Sequence, residues 1–281
     1  MADPSDVAHL QARAAQAFDA VAADYDGAYG EYGNRAMAWM RAESIELLAE
    51  VFSDGSSLLE LGCGTGVEAL ALARRGCKVL ATDVSPAMAA IAGRKARQAG
   101  LQHRVCALAL PAGSIRALKP SMPFDGAYAS FGGLNCEPNL ARVAEGLGQL
   151  VRPCGAFVCG VMNRTYVFEV LWYLLHGRSG SSLRRMQRGW LSAPVGGLGA
   201  TNVAVLTRYL GLRQLRSAFA PWFRVEHVQA LPLLMPPPYA ASLYHRHARL
   251  VGRLERWDRA LRSRMPLAML GDHLVVVFRH L

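Results

Sequence analysis

The spacing of apolar positions predicts alternating strands and helices across the middle of the chain. Short apolar runs of the kind that form buried strands occur at 57–61, 78–82, 104–109, 124–130 and 154–161. Helical spacing of apolar residues fills three of the gaps between them, at 67–75, 85–98 and 138–151. Strands that alternate with helices of this length predict a parallel sheet built from strand–helix–strand units.

The sequence on either side of this core follows a less regular pattern. Two helices are expected before the first strand, at 7–23 and 35–52, with a glycine-punctuated loop between them at 27–33. After residue 161 we expect helices at 165–176, 210–219 and 240–264, strands at 224–231 and 273–279, and an irregular segment at 177–199. These patterns divide the chain into an N-terminal helical cap (1–53), a core (54–161) and a region that completes the sheet and adds helical insertions (162–281).

Charge differs between the two halves of the chain. The 281 residues are 52% apolar and carry a net charge of +10, a composition that suits one large α/β domain with insertions. Residues 1–150 hold 13 basic and 16 acidic side chains, whereas residues 151–281 hold 18 arginines and 5 acids. This asymmetry favours an anionic partner for the second half, such as a charged substrate, a membrane surface or nucleic acid. Arginines on solvated faces are the alternative.

The N-terminal residues and the cysteines indicate a cytoplasmic protein without a metal site. Residues 1–10 lack the basic start of a signal peptide, and prolines interrupt the most apolar late segment, so no membrane span is expected. The six cysteines show no C-x-x-C or zinc-finger spacing, which favours reduced, buried thiols.

A glycine-rich turn follows the first strand, with the sequence Gly62-Cys63-Gly64-Thr65-Gly66. Missing β-carbons let the backbone approach a ligand closely, and the next helix begins there with free N–H groups. The spacing differs from a dinucleotide fingerprint, whose last glycine would fall at Val67. Glu60, at the end of the strand, would repel a pyrophosphate but could pair with the ammonium group of a bound amino acid.

A second carboxylate ends the next strand. Asp83 lies 21 residues after Gly62, a position and chemistry suited to bidentate hydrogen bonding with ribose hydroxyls. The alternative role for Asp83 is to cap the helix that begins at Ser85 and Pro86.

Together these features resemble the class I S-adenosylmethionine-dependent methyltransferases, in particular the ubiquinone/menaquinone and small-molecule branch. Besides Glu60–Gly66 and Asp83–Met88, the resemblance rests on Phe18–Asp26 (FDAVAADYD), Pro123–Tyr128 (PFDGAY) and Leu150–Ala156 (LVRPCGA). It covers residues 15–161 well and the remainder weakly. It implies a Rossmann-like, doubly wound, mostly parallel seven-stranded sheet whose last strand is antiparallel. It also implies S-adenosylmethionine as cofactor and S-adenosylhomocysteine as product.

The resemblance also implies which residues meet the cofactor. Gly62, Cys63, Gly64 and Gly66 would border its methionyl and ribose parts, and Glu60 would help hold the amino-acid end. Asp83 would bind the ribose, Val84 and Met88 would flank the adenine, Tyr25 would close over the cofactor, and Ser130 and Phe131 would lie near the sulfonium. One departure is that residues 109–114 lack the acidic side chain that many relatives place near the adenine amine.

Methyl transfer from a sulfonium requires positioning of the acceptor and exclusion of water, and a base only when the acceptor must lose a proton. The candidates for orienting or deprotonating an acceptor are Asn135, His176, His245 and His273, with Tyr166, Tyr239 and Tyr244 as further possibilities. Each of these residue types is more often structural when considered alone, so the sequence assigns no catalytic residue.

The favoured function is methyl transfer to a small, largely apolar acceptor, anionic or lipid-like. The aromatic stretch 166–173 and the Leu/Met/Pro segment 231–239 are typical of an apolar pocket. The basic second half keeps a nucleic-acid methyltransferase open, although Pro236–Tyr239 follows the sixth strand rather than the fourth, where the catalytic tetrad of such enzymes belongs. A non-catalytic cofactor-binding scaffold is a further alternative, and Glu60 and Val67 oppose a nicotinamide oxidoreductase.

One late helix carries two contrasting stripes. Between 243 and 262, an apolar stripe (Leu243, Leu250, Leu254, Trp257 and Leu261) opposes a row of arginines. This pattern predicts a helix that packs on the domain, walls an anionic substrate or contacts a membrane surface. The acceptor atom and the oligomeric state stay open.

Overall fold

A computed structural model describes residues 4–29, 35–175, 177, 183–195, 203–236, 244 and 247–281. Its centre is a seven-stranded sheet in the order β3-β2-β1-β4-β5-β9-β8. The strands are β1 (Ser57–Leu61), β2 (Lys78–Asp83), β3 (Val105–Ala109), β4 (Phe124–Ala129), β5 (Val151–Met162), β8 (Phe223–Leu231) and β9 (His273–His280). Only β9 within this sheet runs against its neighbours. The predicted fold class is therefore confirmed.

Helices cover both faces of the sheet. They are α1 (Pro4–Val21), α2 (Tyr25–Tyr29), α3 (Arg35–Val51), α4 (Val67–Arg74), α5 (Pro86–Gln98), α6 (Leu140–Leu150), α7 (Val167–Leu175), α8 (Leu212–Phe219) and α9 (Ala248–Leu261). One core layer packs α6 and α8 against the sheet around Phe157, and the other packs α3, α4 and α5 around Leu58. Burial of these apolar side chains on both faces drives the layered arrangement.

The direction of β9 has a consequence for the site. Because β9 is antiparallel to β5, its first residues lie at the edge where the parallel strands end. Asn163, just beyond β5, fixes the incoming loop, since its side-chain amide donates to the carbonyls of Met269 (2.7 Å) and Gly271 (3.1 Å). Asp272 and His273 are thereby placed beside the loops that follow β1, β2 and β4.

Part of the segment predicted as irregular is a short hairpin. β6 (Leu191–Pro194) pairs antiparallel with β7 (Ala204–Thr207) in a separate two-stranded sheet. Four residues are too few to show a strand period, which explains the wrong prediction. Val195 and Val205 at this hairpin pack against α1, so the hairpin and α1 cover the same edge of the main sheet.

The predicted apolar stripe of the late helix is confirmed in part. Leu254 packs towards α3 and Leu261 is partly buried, but Leu250 and Trp257 are 53% and 61% exposed, and Leu243 lies outside the described residues. Val251 packs beside Leu254, and Asp258 is buried because its carboxylate accepts hydrogen bonds from the backbone N–H groups of Leu233 and Leu234. Hydrophobicity alone could not identify a buried carboxylate as the inward position. None of the described helices is long and apolar enough to cross a membrane.

The third glycine of the loop after β1 is a packing residue. Gly66 has a φ of +81°, and a Cβ there would lie 2.8 Å from the Cβ of Ala92 on α5. The backbone conformation and the close approach of α5 therefore both require glycine.

We expect Gly66→Ala to lower the free energy of unfolding by about 2–5 kcal/mol, because it combines a left-handed φ with a steric clash. Gly100→Ala is the matched control, since Gly100 has a φ of +71° but no atom within 4 Å of the added Cβ. Its cost should be about 1–2 kcal/mol. Urea unfolding measures both, and equal losses would show that contact with Ala92 contributes nothing.

Candidate functional site

A cavity of about 270 Å³ opens at the edge where the parallel strands end. The loops after β1, β2 and β4 and the start of β9 form its floor, while α1, α2 and the β6–β7 hairpin cover it. Most of the lining is apolar. This is the place where open α/β sheets bind ligands.

The glycine loop presents its backbone to this cavity. Gly62, Cys63 and Gly64 line it, and both Gly62 and Gly64 have positive φ angles (+72° and +51°). The N–H groups of Gly62 and Cys63 donate to the carbonyl of Thr82 at 2.8 and 2.9 Å, which ties the loop to the end of β2. Gly66 is not part of the lining.

Asp83 connects two of the loops. One carboxylate oxygen accepts from the N–H of Gly64 and the other from the N–H of Ser85, both at 2.8 Å. Burial raises the pKa of Asp83 to about 6, although these two donors lower it, and Asp19 adds to the rise. Each oxygen keeps acceptor capacity, so the side chain can receive the two hydroxyls of a ribose.

A group of charged side chains beneath the glycine loop is incompletely paired. Glu60, Glu68 and Arg41 are all buried, with Arg41 Nε 3.5 Å from Glu68 Oε1. Among the described residues, one oxygen of each glutamate and Nε of Arg41 have no hydrogen-bond partner. Burial, with Glu68 nearby, raises the pKa of Glu60 well above its usual value. A ligand that carries both an ammonium and a carboxylate would satisfy this group.

Two aspartates hold the N-terminal cap on the loops that follow β1 and β2. Asp19 of α1 accepts from the hydroxyl of Ser85 and from the N–H of Ala87. Asp26 of α2 accepts from the hydroxyl of Thr65 at 2.6 Å and pairs with Lys95 at 2.5 Å. Between these contacts, Tyr25 lines the cavity beside Gly64. A ligand on the loop would therefore be covered by the cap.

The adenine side predicted for the cavity is apolar, with one buried carboxylate close by. Val84 and Met88 line the cavity, as does Glu137. The carboxylate of Glu137 accepts from the N–H groups of Gly113 (3.0 Å) and Asn139 (2.9 Å). The stretch 109–114 carries no acid of its own, but a carboxylate from the loop before α6 stands next to it.

Ser130 and Phe131 form the wall after β4. Phe131 has a φ of +50°, a strained value for a bulky side chain. The guanidinium of Arg41 lies 5.6 Å from the centre of its ring, and the ring of His273 meets it edge-on at 5.8 Å. Phe131 thus separates the charged group beneath the glycine loop from the start of β9.

The four catalytic candidates fall in different places. His273 lines the cavity, whereas Asn135 does not. The Asn135 amide donates to the carbonyls of Met162 (2.9 Å) and Arg208 (2.6 Å), and its oxygen accepts from the N–H of Met162 (2.8 Å). Asn135 therefore braces the loop after β4 from behind. His176 and His245 lie outside the described residues.

The tyrosines are anchored or undescribed. The hydroxyls of Tyr166 and Tyr244 donate to the carbonyls of Met235 and Pro236. Tyr239 lies outside the described residues. Among the described side chains, no group of three or more His, Cys, Asp or Glu residues is arranged to hold a metal ion.

Sequence reasoning missed Arg41, Glu68, Glu137 and Arg185. These residues come from elements far apart in the chain, and no motif unites them. The available signal for Arg41 was its place next to the buried Met40 on the inward face of α3, where a charged residue needs a partner.

Comparison with known proteins agrees with this geometry. Residues 58–155 match the model of a methyltransferase domain family. The chain is 32% identical to the ubiquinone biosynthesis O-methyltransferase of Xylella fastidiosa over 40% of this chain and 44% of that protein. It is 36% identical to the demethylmenaquinone methyltransferase of Thermus thermophilus over 42% of this chain and 57% of that protein. The chain thus spans about half the length of these curated relatives.

Solved structures share the fold over most of the chain. The CcbJ methyltransferase from Streptomyces caelestis aligns with a TM-score of 0.57 and 16% identity over 85% of this chain and 94% of its own. The [4+2]-cyclase SpnF aligns with a TM-score of 0.54 and 22% identity over 84% of this chain and 80% of its own. At these identities the likeness shows the fold alone.

Residues 58–155 thus match a methyltransferase domain, and the sheet has the topology of solved methyltransferases. Methyltransferases of this fold use S-adenosylmethionine, a cofactor that carries an amino-acid end, a ribose and a sulfonium.

We expect Arg41→Met to weaken S-adenosylhomocysteine binding about 10- to 100-fold, because a buried charge-assisted contact to the ligand carboxylate is lost. Binding of 5′-methylthioadenosine, which lacks the amino-acid end, should change little. Isothermal calorimetry compares the two ligands. Arg75→Met is the control, since Arg75 pairs with Asp54 on the surface. An equal loss for both ligands would refute the assignment of Arg41 to the carboxylate.

Binding should also depend on the ionisation of Asp83. Its raised pKa of about 6 means that the carboxylate is ionised above that pH and protonated below it. Since ribose hydroxyls donate to the ionised form, S-adenosylhomocysteine affinity should be full above about pH 6 and fall up to tenfold per pH unit below it. Calorimetry across this range measures the step. In Asp83→Asn, affinity should be low and the step absent; a step that persists would assign it to another group.

Proposed function

We propose that this protein transfers a methyl group from S-adenosylmethionine to a small, largely apolar acceptor. The observation that carries the proposal is the incompletely paired group formed by Glu60, Glu68 and Arg41, of which Glu68 and Arg41 line the same cavity as Asp83. The carboxylates match the ammonium and the ribose of the cofactor, and the guanidinium matches its carboxylate.

Each part of the chain then has a role towards the cofactor. Gly62, Cys63 and Gly64 let the backbone approach, and Asp83 binds the ribose. Val84 and Met88 flank the adenine, and Tyr25 closes the cavity from the cap. Ser130 and the Phe131 ring lie beside the sulfonium, where a π-face is favourable for a cation.

When bound, S-adenosylmethionine supplies an electrophilic methyl group. The protein has to hold the acceptor in line with that methyl group and exclude water. It also has to accommodate the loss of positive charge as the sulfonium is neutralised. The cap helps to exclude water, because Asp19 holds α1 against the start of α5 and Asp26 holds α2 against the glycine loop. The β6–β7 hairpin covers the same edge from the other side.

The lining supports an apolar or aromatic acceptor. Met37, Met162 and Phe131 line the cavity, and both curated relatives act, by their names, in quinone metabolism. The described arginines of the second half weaken the case for nucleic acid, because several of them pair internally. Arg259 and Arg262 pair with Glu43, and Arg279 pairs with Glu226. We place the reaction in the cytoplasm as part of the same proposal.

The first experiment is calorimetry with S-adenosylmethionine, S-adenosylhomocysteine and NAD on the wild type and on Asp83→Ala. We expect micromolar binding of the first two ligands, a loss of at least about 30-fold in the variant, and no binding of NAD. Asp125→Ala, at the opposite end of the sheet, is the control.

Binding of NAD, or of none of the three by a folded protein, would refute the proposal. Cofactor binding without release of S-adenosylhomocysteine in the presence of quinol, phenol and polyketide acceptors would favour a non-catalytic scaffold. An affinity for RNA or DNA that falls steeply with salt would favour a nucleic-acid substrate.

A further inference from the structure

The start of β9 brings a histidine and a buried carboxylate into contact at the acceptor side of the cavity. Nδ1 of His273 lies 3.2 Å from Oδ2 of Asp272. Both residues line the cavity. Among the described residues, no group hydrogen-bonds to Nε2, the nitrogen on the far side of the ring. Nδ1 is buried, and its distance to Asp272 is that of an ion pair without the geometry of a hydrogen bond. A neutral imidazole with its proton on Nδ1 faces the carboxylate and has a free lone pair on Nε2.

The carboxylate of Asp272 is fixed by an arginine from the insertion after β5. Arg185 Nη1 lies 2.7 Å from Asp272, and Arg185 Nη2 lies 2.7 Å from Glu169 on α7. The rings of Tyr166 and Tyr209 flank the guanidinium at 5.2 and 5.1 Å. The position of Asp272 is thus determined independently of His273.

Two buried carboxylates of this cluster share one arginine. Arg185 pairs with both Glu169 and Asp272, and Asp272 also faces His273. Although burial opposes it, Arg185 and then His273 hold the pKa of Asp272 well below its usual value. The carboxylate beside His273 is therefore ionised, as the partner of an imidazolium has to be.

We propose that His273 is the general base of the reaction, positioned by Asp272 and Arg185, and that the acceptor is methylated on an acidic hydroxyl group. This inference rests on the proposed function of the same cavity. An acceptor methylated at an alkene carbon would lose its proton only after attack, from the carbocation, whereas a hydroxyl has to lose it before or during attack.

The reaction balances as follows: the acceptor hydroxyl and the cofactor yield a methyl ether and S-adenosylhomocysteine. The new O–C bond replaces the S–C bond, whose electron pair remains on sulfur and neutralises the sulfonium. The hydroxyl proton passes to Nε2 of His273, and the imidazolium is stabilised by Asp272 until the proton leaves to solvent.

The tautomer of His273 tests this assignment without any acceptor. Nitrogen-15 histidine NMR of the S-adenosylhomocysteine complex, assigned with His273→Gln, should show a neutral ring with its proton on Nδ1. In Asp272→Asn, the fraction protonated on Nε2 should rise. A proton on Nε2 in the wild type, or a ring that stays charged above neutral pH, would overturn the proposal. Absence of S-adenosylhomocysteine binding would instead refute the proposed function.

Ionisation of a bound phenol tests the acceptor class. At mildly acidic pH, free 4-nitrophenol is mostly neutral, and transfer of its proton to His273 gives the yellow phenolate. We expect the phenolate spectrum in the wild-type complex and about a tenfold or greater loss of the ionised fraction in His273→Gln. His227→Gln on β8 is the matched control and should behave as wild type. Binding of the neutral phenol, or no binding at millimolar concentration, would overturn the hydroxyl assignment.

Discussion

The site depends on the carboxylate of Asp83, which accepts one hydrogen bond from the loop after β1 and one from the loop after β2. These two bonds set the distance between the glycine loop and the start of α5, where Ser85 caps the helix and meets Asp19 of the cap. Burial makes the carboxylate costly to ionise, as its pKa of about 6 shows. A ligand that donates two hydroxyls to this carboxylate would offset part of the cost of its burial.

The antiparallel β9 adds what the parallel strands cannot. Parallel strands bring only their carboxyl ends to the ligand edge. The antiparallel β9 brings its first residue, His273, and the preceding Asp272 to that edge. Asn163 and Arg185 fix these residues from two sides, through the backbone of the preceding loop and through the Asp272 carboxylate. In the proposed function the cavity has an acceptor half, formed by the last strand and the insertion after β5. Its cofactor half is formed by β1, β2 and the cap.

The cofactor half was predictable from the sequence because its parts are local. A short strand, three glycines and a carboxylate at the end of the next strand lie within about one strand–helix–strand unit, so their relative positions follow from regular geometry. The acceptor half was not predictable, because the contact between Arg185, Glu169 and Asp272 joins positions separated by many residues and irregular chain. The β6–β7 hairpin was not predicted for a related reason, because a four-residue strand is too short to show the alternation of a strand. The buried face of α9 was predicted only in part, because the buried Asp258 is stabilised by backbone N–H donors that no local sequence pattern indicates.

The fold alone does not determine the reaction, since a cyclase and a methyltransferase both share it at low identity. The distinction has to come from charge. In the proposed function, Glu60, Glu68, Arg41 and Asp83 recognise the cofactor, and a cofactor-binding protein with another reaction would need the same recognition. It does not need a histidine at the acceptor side backed by a carboxylate that is itself held by an arginine. Burying the two carboxylates of that cluster is costly, and both pair with the same buried arginine, Arg185. Such an arrangement is explained by a proton that arrives during the reaction, which ties the chemistry of this protein to the start of β9 rather than to the glycine loop.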